Sequence, residues 1–279
     1  MLPPPGKCVW GCESGKPFNR EHIIAKHVAE ALGMPFPVPM AWGDIQRSTG
    51  RQIDHGERLE DELAVTLDDR VCQRCNSQWM KKSDDRMLRF MWGTLRNGDR
   101  VQLNAKNQAV LTLWANKVGL LLALWLHDQP LTDPQITGVG KSYAPADNFL
   151  ALFKHQKPPK RTRIWIGAIA DTAAVREVGV RASQIRASRD GGEAFPCGYY
   201  VLFHLKRLVF LVSGWNLDWP DEILDWANPE RILADSRAMR RLSPLRERVV
   251  EWPPPARLEL DDLNKLISGE PDGIQPAPG

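Results

Sequence analysis

The sequence has no uninterrupted hydrophobic run long enough to span a membrane. Its longest apolar segment, residues 109–126, is broken by Thr112, Asn116 and Lys117, whereas a spanning helix needs about 18–20 mostly uncharged residues. The N-terminal stretch MLPPPGKCVWGC also lacks the apolar core of a secretory signal. We therefore expect a buried helix at about 107–127 in a soluble, cytoplasmic protein that does not contact a membrane.

The chain also has little excess charge. It contains 37 Lys and Arg against 34 Asp and Glu, a net charge of +3, so its overall charge does not by itself indicate a polyanionic partner. The basic residues are nevertheless locally concentrated. Residues 74–100 contain seven basic and three acidic side chains, and residues 154–163 contain five basic and no acidic ones. Each cluster is either an ordinary solvated surface or a phosphate-binding face.

Cysteine is scarce, and four of the five cysteines form two close pairs. CVWGC contains Cys8 and Cys12, CQRC contains Cys72 and Cys75, and Cys197 stands alone. In a reducing compartment, such pairs bind metal more often than they form disulfides. Four thiolates from two short turns predict a closed, structural Zn²⁺ site that contributes to folding. Two local disulfides or unrelated thiols are the alternatives.

The presence of both strand-like and helix-like segments predicts an α+β protein. Strands are expected at 161–170 and, as a hairpin, at 198–215, and helices at 221–233 and 256–268. Five tryptophans fit the core positions of these patterns: Trp92, Trp114, Trp125, Trp165 and Trp215. We expect three parts: a small zinc-centred module (1–100), a larger α+β domain (101–268) that grips substrate or binds a partner, and a disordered tail (269–279).

Candidate site residues lie between and just after the cysteine pairs. Glu21 and His22 are adjacent in FNREHIIAKHV, a segment that suits a strand or hairpin arm. Neighbours on a strand point to opposite faces, so they meet at one site only at a bulge or strand end. Asn76 follows Cys75 directly and is expected in the first turn of a helix, with its side chain held beside the zinc site.

The order Cys-x₃-Cys, Glu-His, Cys-x₂-Cys-Asn over residues 8–91 resembles the HNH, or ββα-metal (His-Me finger), endonuclease superfamily. It is most similar to the zinc-stapled type, which includes the phage recombination endonuclease VII. A looser likeness to other HNH proteins lies in the segment CN..WM and in the pair Trp114 and Lys117. Three departures stand out: Glu replaces Asp at position 21, the middle Asn is missing, and residues 31–63 form an insertion expected to loop out.

The resemblance implies a zinc-bound ββα-metal nuclease module that hydrolyses DNA to 5′-phosphate and 3′-hydroxyl ends. His22 would be the general base, and Glu21 and Asn76 would hold Mg²⁺ or Mn²⁺. Arg74, Lys81 and Lys82, near Asn76, would contact the phosphate backbone. Two alternatives stay open: a non-catalytic zinc-stabilised module that binds nucleic acid or protein, and a nuclease that acts on RNA. A homodimer is one way to cut both strands of a duplex.

Overall fold

The structure is a computed structural model that describes part of the chain. For several strand and helix-end residues within this part only the backbone is described. The described residues are 3–12, 17–18, 20–34, 36, 41–46, 51–54, 66–128, 146–159, 161–170, 178–187, 195–215, 238–243, 248–255 and 257–258.

The structure contains both helices and sheets, as the α+β prediction requires. The helices are α1 (Lys26–Leu32), α2 (Gln73–Cys75), α3 (Lys81–Asn97), α4 (Ala105–Asp128) and α5 (Ala146–His155), with a π-helical turn (Asn76–Met80) joining α2 to α3. The strands are β1 (Glu21–His22), β2 (Ala41–Gln46), β3 (Arg51–Asp54), β4 (Thr66–Leu67), β5 (Val101–Asn104), β6 (Thr162–Ala168), β7 (Val178–Ala187), β8 (Phe195–Leu205), β9 (Leu208–Trp215), β10 (Met239–Ser243) and β11 (Val249–Trp252).

A seven-stranded sheet in the order β10-β6-β9-β8-β7-β2-β3 is the largest described element. Its centre is the predicted hairpin, in which β8 and β9 pair antiparallel from Gly198↔Trp215 to Leu205↔Leu208. Alternate residues of these strands point to the same face, and Val201, Phe203 and Val212 lie buried on the face that packs against α4. Two further sheets are two-stranded: β1 with β4, and β5 with β11.

Helix α4 is the centre of the hydrophobic core. Asn104 caps its start, since Asn104 Oδ1 accepts a hydrogen bond from the backbone N–H of Asn107 at 3.0 Å. Residues 111–125 are all buried. By length and composition, 105–125 is long and apolar enough to cross a membrane, but 89% of its most apolar window is buried inside the protein. The helix therefore has the burial of a core helix, as its interrupting polar residues predicted.

The insertion does not simply loop out, which corrects one expectation. Two of its segments, β2 and β3, pair antiparallel with each other, and β2 pairs in parallel with β7 from Ala41↔Gly179 to Gly43↔Arg181. The N-terminal part of the chain thus contributes two strands to the sheet of the C-terminal part. One contiguous hydrophobic cluster also runs from Cys8 to Trp252. The division into a module (1–100) and a larger domain (101–268) stays a prediction.

Most element predictions on described residues are confirmed, and one core assignment is wrong. The helix at 107–127, the strand at 161–170 and the hairpin at 198–215 are present within a few residues. Trp92 is 43% exposed instead of buried, because it lies on the outer face of α3, where the Arg96 guanidinium sits 5.3 Å from its ring. Trp114, Trp125 and Trp165 are buried as expected.

Several predictions fall outside the described residues. They are the helix at 221–233, most of the helix at 256–268, the tail at 269–279 and the side chains of Trp215 and Cys197. The described start of the second helix is not helical, because Leu258 instead forms a parallel bridge with Ile169.

The close approach of Tyr199 to Gly214 gives a test of the sheet packing. A Cβ atom on residue 214 would lie 2.4 Å from Tyr199 Cε1 and 2.7 Å from its hydroxyl oxygen. We expect Gly214→Ala to lower the free energy of unfolding by about 1–3 kcal/mol, because the buried ring has no room to move aside. Urea titration measures this. Adding Tyr199→Leu should recover part of the loss, and strictly additive effects would contradict the proposed clash.

Candidate metal centre and active site

Two loops that lie far apart in sequence carry the paired cysteines to one place. Cys8 and Cys12 are on the N-terminal loop, Cys72 is the N-cap of α2, and Cys75 is the last residue of α2. Backbone hydrogen bonds join the loops: Gly6 N donates to Asp69 O at 2.9 Å and Val9 N donates to Arg70 O at 2.8 Å. These bonds hold the sulfur atoms of Cys8 and Cys12 close to those of Cys72 and Cys75.

The four sulfur atoms lie close enough together to bind one metal ion. All four lie within 4.8 Å of one another, with Cys8 Sγ 3.8 Å from Cys75 Sγ and Cys12 Sγ 3.1 Å from Cys72 Sγ. A Zn–S bond of about 2.3 Å implies sulfur–sulfur distances of roughly 3.8 Å. None of the four forms a disulfide, which removes that alternative. The cluster therefore fits a structural metal such as zinc.

Cys8 and Cys75 share a proton. The hydrogen bond with Cys75 lowers the pKa of Cys8 to about 5, and the same contact raises the pKa of Cys75. A thiolate is the form that binds zinc, so Cys8 is the first thiol of this pair to ionise, and Cys75 loses its proton as the metal binds.

An aromatic cluster supports the metal centre from one side. Trp10, between the first two cysteines, is fully buried. Its ring lies 4.7 Å from that of Trp79 in an edge-to-face arrangement and 5.1 Å from that of Phe149 in α5. Such pairs add stability beyond their buried area. The N-terminal loop is thus packed against both the helix after Cys75 and the C-terminal part of the chain.

The predicted β-arm beside the metal centre is present. Strands β1 and β4 pair antiparallel, with Glu21 opposite Leu67 and His22 opposite Thr66. An isolated bridge between Phe18 and Cys72 continues this pairing toward the cluster. Helices α2 and α3 follow β4 along the chain, joined by the π-helical turn. Asn76, half-buried, begins that turn, so it lies in the first turn of the helix, as predicted. Single π-helical turns are frequent at functional sites.

Glu21 is buried among charged groups. It is 4% exposed, and burial raises the pKa of its carboxyl group to about 8. Lys117 opposes this rise and Asp84 adds to it. No donor among the described residues hydrogen-bonds the Glu21 carboxyl group. Even with Lys117 nearby, this carboxyl group is therefore largely protonated at neutral pH when no metal ion is bound.

Asp84 is the centre of a polar group that sequence reasoning missed. Trp114 Nε1 donates a hydrogen bond to Asp84 Oδ1 at 2.8 Å, and Lys117 Nζ donates to the same oxygen. All three residues are buried. The sequence signal for this group is the pair Trp114 and Lys117, which also carries the looser likeness to HNH proteins. Asp84 gives no signal of its own beyond being an acid within a basic segment, because nothing in the local pattern marks a buried carboxylate.

His22 occupies the opposite side of β1 from the buried Glu21. It is half-buried, and its ring centroid lies 4.7 Å from that of Phe36. Burial lowers the pKa of His22, and the nearby Arg20 lowers it further. The ring is therefore neutral at neutral pH.

The remaining predicted site residues surround the metal centre without converging on one point. Among the described hydrogen bonds and ion pairs, none joins Asn76 to Glu21 or His22. Arg74 and Lys82 are exposed. Lys81 is also exposed, and its Nζ forms an ion pair with Asp85 at 3.0 Å. Asp85 Oδ1 in turn lies 3.4 Å from His27 Nε2, so His27 belongs to this surface group.

Removal of one thiol tests the metal centre. We expect Cys72→Ser to lose the bound zinc and to lower Tm by roughly 10 °C or more, because the metal links two loops that lie far apart in sequence. Zinc content by elemental analysis and thermal unfolding measure both effects, and a strong chelator should release one zinc per parent chain. Cys197→Ser is the control and should keep its zinc. Parent protein without zinc would contradict the assignment.

The raised pKa of Glu21 predicts a pH-dependent stability difference. Between pH 4.5, the ordinary value, and about 8, the folded protein holds a proton that the unfolded chain releases. The free energy of unfolding of the parent should therefore fall relative to Glu21→Gln as pH rises through this window, by at most about 1.4 kcal/mol per pH unit. Urea titrations of both proteins, with zinc present and without other divalent ions, measure this. If the difference in unfolding free energy between the parent and Glu21→Gln does not change with pH, the Glu21 carboxylate is exposed to solvent and the prediction is wrong.

Comparison with protein-family models, with curated proteins and with solved structures gives no match for this chain.

Proposed function

We propose that the protein is a metal-dependent HNH-type endonuclease that hydrolyses nucleic-acid phosphodiester bonds, with DNA as the preferred substrate. The observation that carries this proposal is the order of elements around the cysteine cluster. A two-stranded antiparallel arm bearing His22 is followed, after Cys72, by the helix bearing Asn76. This is the order that the resemblance to the ββα-metal superfamily implies.

His22 has the properties of a general base. Its ring is half-buried and partly open to solvent, and its lowered pKa keeps it unprotonated at neutral pH. A neutral imidazole accepts a proton from a water molecule as that water attacks phosphorus. The contact with Phe36 limits the orientations of the ring, which favours a fixed direction for proton transfer.

Glu21 and Asn76 are the residues that would hold a divalent metal ion. The fit rests on Glu21, a buried carboxyl group with no described hydrogen-bond donor, beside a second carboxylate, Asp84. Carboxylate oxygens are the ligands that a hard cation such as Mg²⁺ or Mn²⁺ prefers. When bound, such an ion stabilises negative charge on the scissile phosphate and the leaving oxygen. Asn76 would supply an amide oxygen from the rigid turn after Cys75.

Exposed basic residues near the metal centre would bind the phosphate backbone. Arg74 and Lys82 project from the helix that carries Asn76, and Lys81 lies next to them with its charge partly shared with Asp85. Contacts of this kind are independent of sequence and weaken with salt. We therefore expect Arg74 and Lys82 to contribute more to binding than Lys81.

One observation favours a second candidate, a zinc-stabilised module that binds nucleic acid without cutting it. Glu21 is 4% exposed and lies near the Lys117 ammonium group, and both features oppose the binding of a hydrated cation. In this alternative, Glu21, Asp84 and Lys117 form a structural polar group. Arg74 and Lys82 serve binding in both cases.

Plasmid cleavage separates the two candidates. We expect the parent to nick or linearise supercoiled plasmid with Mg²⁺ or Mn²⁺, and we expect His22→Ala to cut about 10²–10⁴ times more slowly, because it lacks the base. Both proteins must carry zinc. His155→Gln, which changes an exposed histidine at the end of α5, is the matched control and should cut like the parent.

The other outcomes assign the function differently. Equal cutting by parent and His22→Ala would place the base elsewhere. Absence of cutting by either protein, with DNA binding retained, would establish the binding module. Cleavage of RNA but not duplex DNA would establish an RNA-directed nuclease.

A further inference from the structure

A large open groove lies away from the metal centre, where the C-terminal strands meet β5. Its volume is about 770 Å³. One wall is the β5–β11 sheet, through Val101, Gln102 and Val249, and another is the proline run at 253–255. Three arginines line it: Arg100, Arg240 and Arg257. The groove therefore brings together basic residues from three separate segments of the chain.

The backbone at each arginine is held by β-structure. Arg100 directly precedes β5, whose Val101 pairs with Trp252 of β11. Arg240 is within β10 and pairs with Ile166 of β6. Arg257 precedes Leu258, whose N–H donates to Ala168 O at 2.8 Å. The three side chains thus start from fixed positions, which lowers the entropy lost when they bind a ligand.

The charge of the groove is unbalanced. The described ion pairs include no carboxylate partner for Arg100, Arg240 or Arg257. Among the described residues that line the groove, the one acid is Glu251, and its Oε1 already accepts a hydrogen bond from Gln102 Nε2 at 3.3 Å. Three guanidinium groups against one carboxylate leave an excess positive charge, and guanidinium groups bind phosphate oxygens in bidentate fashion.

We propose that the groove lined by Arg100, Arg240 and Arg257 binds the phosphodiester backbone of a nucleic acid, as a second contact zone away from the metal centre. This assigns a binding role to the C-terminal part of the chain. The inference rests on the proposed function in its choice of ligand, but it requires binding and not cleavage.

The walls favour a nucleic-acid backbone over an acidic protein segment. Protein partners need apolar anchors in pockets, but Trp252, the aromatic residue of the groove, is 2% exposed and its Nε1 donates to Gly167 O. The large apolar side chain that the groove exposes is Val249. Binding here is therefore dominated by charge, as in backbone recognition. Three guanidinium groups along an open groove also suit several successive phosphates better than one small anion.

A charge-matched pair of variants tests the proposal. The groove variant carries Arg240→Gln and Arg257→Gln. The control variant carries Lys26→Gln and Lys106→Gln, which remove the same charge at exposed positions outside the groove. Fluorescence anisotropy measures the affinity of each protein for a duplex of roughly two helical turns at several salt concentrations, without added Mg²⁺.

We expect the groove variant to bind about tenfold more weakly than the parent near 0.1 M salt. The slope of log K against log salt should fall by about 2, because two phosphate contacts are lost. The control should keep the parent slope. Circular dichroism and zinc content check that each variant is folded, and Arg100→Gln with Arg257→Gln replaces the groove variant if Arg240 is needed for folding.

Three results would overturn the proposal. They are unchanged binding by the groove variant, equal loss in both variants, and displacement of the duplex by poly-glutamate as readily as by unlabelled DNA. A plasmid-cleavage assay on the same proteins distinguishes failure of the groove proposal from failure of the nuclease proposal. If the parent cuts while the groove variant binds like the parent, the groove assignment fails and the nuclease stands. If the parent binds through the groove but never cuts, the nuclease fails and the groove stands.

Discussion

Convergence of four sulfur atoms is the constraint on which the N-terminal part of the structure depends. The pair Cys8 and Cys12 lies some sixty residues before Cys72 and Cys75, and backbone hydrogen bonds between the two loops bring the pairs together. A bridge between Phe18 and Cys72 continues this contact, and the arm β1–β4 follows in register. The helix that carries Asn76 starts directly after Cys72. The candidate residues of the arm and of this helix therefore lie next to the cluster along the chain.

Helix α4 connects that cluster to the rest of the molecule. One side of it packs on the large sheet, where a Cβ on Gly119 would come within 3.1 Å of Val212. Another presents Trp114 and Lys117 to Asp84 on α3. A buried ion pair contributes little net stability when it replaces good apolar packing, but losing one partner is costly. The main effect of the pair Asp84 and Lys117 is therefore to fix how α3 lies against α4, and its net contribution to the free energy of unfolding is small.

The sequence was informative wherever the signal is local. Cysteine spacing predicted the metal cluster, β-branched alternation predicted the hairpin at 198–215, and an apolar run with Thr112, Asn116 and Lys117 predicted a core helix. It was uninformative where the outcome depends on distant partners. Whether Trp92 faces core or solvent depends on which side of α3 meets α4, and the burial of Glu21 and Asp84 depends on Lys117, some hundred residues from Glu21. Arg100, Arg240 and Arg257 likewise share no motif, and only the fold brings them to one groove.

The parallel pairing of β2 with β7 has a consequence for how the protein forms during synthesis. The four cysteines are all present once residue 75 has been made, so the metal cluster can close early. Strand β2 must wait for residues 178–187, a delay of roughly ten seconds at ordinary rates of translation. During that interval β2 lacks its pairing partner β7, and unpaired strand edges promote aggregation. The growing chain therefore passes through a stage in which the edges of β2 and β3 are open to pairing with other chains.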